Sequence, residues 1–352
     1  MNRPFTFLLL WSIALFCGAC SGEDFSVIDG DCVPLRPGIH VGAILVSSRT
    51  LVNGIGTGAD RINSIGIYLA APDGSLYPGS SATGATFTKG SGNSWSSTPP
   101  TYVSLLTAKL HVWSPATVTL TAGSGTTLPT LPVSLPEGQT FDGANDYGCS
   151  VHDYLYGSAT STQGSAEPIT ASSQSATPAI YLQHALAQLV FRIQNATDRP
   201  ADAVYDYVKS VHLTAEGGAT PFWAGTSGAM ALSDGTLSGL SASGKLTFTP
   251  SANPRKVGTT GAVTVAYGLV APKTAAAANT RVTLTLRLGE SANADTEREL
   301  TLSTDVFNQA WDRGNQYIYT LTLGKRGLTL QDAAILPWNA ETSVDQDMKP
   351  IG

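Results

Sequence analysis

Residues 280–290 read TRVTLTLRLGE. Thr283, Thr285 and Arg287 alternate with Leu284, Leu286 and Leu288. A period of two puts the leucines on one face and the polar side chains on the other, as in a half-buried antiparallel strand. Further β-rich runs follow at 39–52, 62–74, 208–216, 244–250, 262–272 and 298–304, with two strands around Ser114-Pro115 in 101–123 and a strand, a Gly-containing turn and the start of another in 315–330. Strands about ten residues apart with no amphipathic helix between them predict β-sandwiches. Only 183–188 and 304–311 look short and helical.

A chain of 352 residues favours two domains over one. Residues 157–178, GSATSTQGSAEPITASSQSATP, are the best linker or loop, with an edge strand as the alternative for the last part. The pattern restarts after it, so the N-terminal sandwich is expected over 39–178 and the C-terminal one, with a short extension, over 179–352. Charged residues are only 13%, alongside Gly 36 and Pro 20, which suits short strands and many turns. The net charge of −6 argues against nucleic acid as a partner, because that needs a basic stripe.

The N-terminus, MNRPFTFLLLWSIALFCGAC, has a basic Arg3, an apolar stretch from Phe5 to Cys17, and small residues before Cys20. The stretch is too short to span a bilayer stably. It reads as a signal peptide over 1–19, with Cys20 as the lipidated first residue of a leader running to residue 38. Ordinary signal-peptidase cleavage is the alternative. Acyl chains at Cys20 would anchor the chain, since each buried CH₂ contributes about 0.8 kcal/mol. The SGED that follows resembles the acidic export tag of surface lipoproteins in Bacteroides-type bacteria. Once Cys17 leaves with the signal and Cys20 is acylated, Cys32 and Cys149 remain as a candidate disulfide.

Other motifs carry little chemistry. Gly54, Gly56 and Gly58 lack the Lys-Ser/Thr of a phosphate loop and read as a turn. His40, His111, His152, His184 and His212 have no paired ligand spacing, and Asp142, Asp146 and Asp153 do not match an EF-hand. No G-x-S-x-G elbow is present, no catalytic residue or metal ligand stands out, and neither an enzyme nor a cofactor is expected. Trp95, Trp113 and Trp223 read as core residues first and as a sugar-stacking platform second.

Two stretches, HALAQLVFRIQN (184–195) and WDRGNQYIYTLTL…ILPWN (311–339), resemble the fimbrillin family of Bacteroides-type bacteria. The corresponding residues are His184, Ala187 and Phe191, then Gly314, Tyr317 and Tyr319, then Ile335, Pro337 and Trp338. The runs SSRT, IGIYLA and VWSPA of the first half are similar too. The resemblance implies two transthyretin-like sandwiches and a surface lipoprotein precursor that assembles with other fimbrial subunits. It also implies an outer-membrane lipid anchor, a role in adhesion to a surface receptor, and strand exchange triggered by cleavage at Arg49–Thr50. Strand 39–48 would then be displaced and a neighbour's strand would fill the groove. The family's donor is C-terminal; the 14 residues after Trp338 offer Val344, Met348 and Ile351 to a groove. Shaft, tip, accessory and anchor roles all stay open, and a non-polymerising, carbohydrate-binding lipoprotein is the alternative.

Overall fold

A computed structural model describes residues 32–41, 55–56, 61–92, 94–144, 148–200, 204–276, 280–293 and 295–337. The chain is all β, in the two-sandwich class expected. No α-helix occurs among the described residues. The helix expected at 183–188 is instead the end of the strand Ala179–His184 and the start of Ala187–Asn195, and 304–311 holds only the 3-10 turn Val306–Asn308.

The N-terminal unit is built on an eight-stranded sheet. Its strands run, edge to edge, Gly38–Val41, Ala179–His184, Leu155–Ser158, Ala108–Ser114, Ser64–Ala70, Ala85–Lys89 and Trp95–Ser97, with Ile169–Ala171 beside Ala108–Ser114. Ser64–Ala70 is buried on both faces, which explains its near-continuous apolar sequence. Ile65, Ile67 and Leu69 face a core shared with Phe87, Trp95 and Val112. Tyr68 and Ala70 face a second core, against Leu131, Val133 and Met230. A Cβ at Gly66 would overlap the Trp113 ring, so glycine is what lets that indole lie flat on the sheet.

The second core is roofed by a smaller sheet in which Phe222–Ala231 pairs with Leu237–Ser238, Ser241–Ser243 and Thr130–Leu135. The C-terminal unit packs two further sheets face to face. One runs Val263–Val270, Ala187–Asn195, Asn315–Gly324, Gly327–Pro337; the other runs Glu297–Thr304, Val282–Gly289, Tyr207–Ala215, Lys245–Ala252, Gly138–Asp142. Leu284, Leu286 and Leu288 enter the core between them, as their alternation predicts, and meet Leu189, Phe191 and Ile193 there.

The chain is shared between the units differently from the expected division at 178/179. Ala179–His184 belongs to the N-terminal sheet, antiparallel to Leu155–Ser158. Conversely, Gly138–Asp142 pairs parallel to Lys245–Ala252 of the C-terminal unit. Gln139 ties this arrangement together: its buried amide donates to Leu269 O at 2.5 Å and accepts from Leu269 N at 3.0 Å, doing for that backbone what a neighbouring strand would.

Candidate assembly site

The first described segment lies along the N-terminal core as a strap. Val33–Pro34 pairs antiparallel with Tyr102–Val103, and Leu35 N donates to Thr101 O at 2.8 Å. Leu35 and Ile39 are buried in the core, at 2% and 4% exposure. Gly38–Val41 then adds to the outer edge of Ala179–His184 as a parallel strand, with Ile180 opposite Ile39 and Leu182 opposite Val41. His40 stacks on Tyr181, ring centroids 4.8 Å apart. Among the described residues the strap therefore occupies the last position in its sheet, with one hydrogen-bonded neighbour. Removing it would bare an unpaired strand edge and the apolar side chains of Ile180 and Leu182.

Of the expected displaceable strand 39–48, residues 39–41 are described and form this edge. Cys20, Arg49, Thr50 and Trp338 lie outside the described residues. The structure holds no disulfide between Cys32 and Cys149, the pair open as a candidate from the sequence. Cys32 leads into the strap, whereas Cys149 packs beside Gln139, with Sγ 3.7 Å from Gln139 Oε1. Burial pushes the Cys149 thiol up to about 11, so little thiolate is present at neutral pH.

His184 closes the strand that receives the strap. Its Nδ1 lies 3.0 Å from Asp153 Oδ1, both side chains being inaccessible to solvent. Ala185 N donates to Tyr154 O at 2.9 Å, and Leu186 O accepts from Gly314 N at 2.8 Å. Ala187 already belongs to the C-terminal sandwich. The His-x-x-Ala run is thus the passage from one unit to the other, pinned at each step. Replacing Asp153 with Ala leaves a buried imidazole nitrogen without its acceptor. Thermal denaturation is expected to show a loss of about 1–3 kcal/mol.

The remaining motif residues build the far side of that passage. Phe191 is wholly buried, with Phe248, Tyr319 and Phe307 rings 5.6, 5.8 and 6.4 Å away. Gly314 has φ +69, a left-handed turn that glycine enters without strain, directly before Asn315–Gly324. Tyr317 Oη accepts from Asp312 N at 2.7 Å. Tyr319 Oη accepts from Trp311 Nε1 at 3.2 Å, and burial pushes its phenol up to about 12. These residues form core and junction rather than a reactive centre. Trp95 and Trp113 are core as well; of the three tryptophans weighed as a sugar platform, Trp223 alone reaches solvent, at 45% exposure.

The fold is thus a tandem β-sandwich whose first sheet ends, among the described residues, in a strap formed by Gly38–Val41. Residues 52–338 match the Fimbrillin-like family model, and the chain belongs to that family. Its fold is similar to a crystal structure from Bacteroides uniformis described as a candidate cell adhesion protein, at TM-score 0.52 and 13% identity over 87% of this chain and 99% of that one. A second such structure, from Bacteroides ovatus and described in the same way, has TM-score 0.51 and 15% identity over 88% of this chain and 99% of that one. No curated protein matches the chain.

Proposed function

We propose that this protein is a non-enzymatic structural and adhesive subunit of surface fimbriae, exported as a lipoprotein and assembled by protease-triggered donor-strand exchange. The observation that carries the reading is the strap: among the described residues Gly38–Val41 fills a terminal sheet position through one neighbour, with Leu35 and Ile39 as its apolar plugs. In this reading Cys20 holds the chain at the outer membrane until cleavage between Arg49 and Thr50 frees the strap. A strand from another subunit then takes the vacated edge, with main-chain hydrogen bonds giving affinity and alternate side chains giving register. Cys32 lies upstream of the proposed cut and Cys149 downstream, so a bond between them would tether the strap after cleavage.

The test is the intact mass and N-terminal sequence of protein taken from the cell surface. A chain beginning at Thr50 is expected from assembled material, and acylated Cys20 from unprocessed precursor. An Arg49→Ala protein is expected to keep its acylated N-terminus and to give no heat-sensitive ladder on gels. Normal ladders from that variant would sink the processing site.

A further inference from the structure

Where the two units and the roofing sheet meet, the fold forms a solvent-open cavity of about 730 Å³. Its wall includes Gln163 from the N-terminal unit, Thr236 from the roofing sheet, and Lys273, Trp311, Arg313 and Asn315 from the C-terminal unit. Two of these are cations with no carboxylate partner among the described residues. Lys273, 7% exposed, donates from Nζ to Gln309 O at 2.7 Å and lies 4.6 Å from the centre of the Trp311 ring. Arg313 donates to the carbonyl oxygens of Asp234 and Gly164 and lies over the Tyr156 ring at 5.1 Å. Asp312 also lines the cavity but forms no ion pair with either cation.

A buried ammonium bonded only to a carbonyl and a ring is poorly compensated for its lost hydration. Burial accordingly pushes Lys273 down to about 8. Ammonium and guanidinium both retain donors, since Lys offers three and Arg five and the contacts above use one and two of them. A carboxylate is the natural complement to such a pair. Thr236, Thr274 and Asn315 add hydroxyl and amide groups to the same wall. The volume falls within the range of about 300–1,000 Å³ typical of small-molecule sites.

We infer that this junction cavity binds a carboxylate-bearing sugar, with Lys273 and Arg313 supplying the charge and the polar wall meeting the hydroxyls. The inference stands apart from strand exchange, because none of the strap residues contributes to the cavity.

The test is calorimetric titration of the full chain with glucuronate. Saturable binding is expected with a dissociation constant on the order of millimolar, and glucose and acetate should each bind about tenfold more weakly or worse. Lys273→Met should lose about tenfold in glucuronate affinity while melting no lower than the parent, since it removes an uncompensated buried charge. Arg313→Lys, which keeps the charge but not the fork, should also weaken binding and checks the second cation without relying on the first variant. Absence of glucuronate binding overturns the proposal. So does glucose or acetate binding as tightly as glucuronate, or an unchanged affinity in a folded Lys273→Met protein.

Discussion

A chain beginning at Thr50 is expected to lose most of the stability of its N-terminal unit while its C-terminal sandwich is unaffected. The cut removes Leu35 and Ile39 from the core. Full burial of such side chains contributes about 1.5–3 kcal/mol each, so the pair accounts for about 3–6 kcal/mol as an upper estimate. It also removes the backbone partners of Ala179–His184 on one side and of Tyr102–Val103 on the other. Against a typical domain stability of about 5–15 kcal/mol, that is enough to leave the unit marginal. Native-state hydrogen exchange of monomeric protein separates the outcomes. Protection at Ala179–His184 should collapse in the shortened chain, and protection at Val282–Gly289, in the other sandwich, should persist. A Thr50 chain that keeps both its melting temperature and its protection along Ala179–His184 would show that the strap holds nothing. Added strap peptide should restore protection in the shortened chain, because the edge it vacates remains.

Much of this fold was legible because a strand's buried face depends only on residues two apart. The alternation through Leu284, Leu286 and Leu288 needs no knowledge of partners, and those leucines do enter the core. What a strand pairs with is a different question, settled by contacts far away in sequence. Leu131, Val133 and Leu135 announce an inward face, but nothing local says that they roof the first sheet beside Phe222–Ala231. Likewise His184-Ala185-Leu186-Ala187 has helix-favouring composition. Tertiary context overrides it: the four residues cross between two sheets and all are buried. Of the proposed assembly site, a strand starting near residue 39 could be read from the sequence, and Gly38–Val41 is its described part. Its neighbour Ala179–His184 could not, because that strand lies about 140 residues further on and pairs in parallel. The Lys273 cavity left no sequence signal for the same reason. Gln163, Thr236, Lys273 and Arg313 come from four separate segments, and only the stacking of units brings them to one wall.

Phe191→Ala is expected to be the most damaging single substitution in the C-terminal unit. The ring sits among Phe248, Phe307 and Tyr319, and Ala at this position leaves a void that those stiff aromatics fill poorly. Phe→Ala changes in cores cost about 3–5 kcal/mol, the upper end applying where the site cannot collapse. Here collapse is opposed on two sides. Tyr319 is fixed by its hydrogen bonds from Trp311 and Gln309, and Trp311 is held in turn by stacking on Phe222, with ring centroids 5.5 Å apart. Phe191→Leu should cost less, about 1.5 kcal/mol, because it keeps most of the volume. Denaturant titration followed by tryptophan fluorescence measures both. A cost below about 1 kcal/mol for Phe191→Ala would mean that the aromatic cluster relaxes freely, and the account of Phe191 as the anchor of this core would have to be abandoned. The position also bears on the passage between the units: Phe191 lies on the strand that begins at Ala187, in parallel register with Tyr319 on the strand that follows Gly314. Loosening that register should also weaken the Leu186–Gly314 hydrogen bond, so the Ala variant is expected to lose exchange protection at Gly314 before the rest of the C-terminal sandwich unfolds.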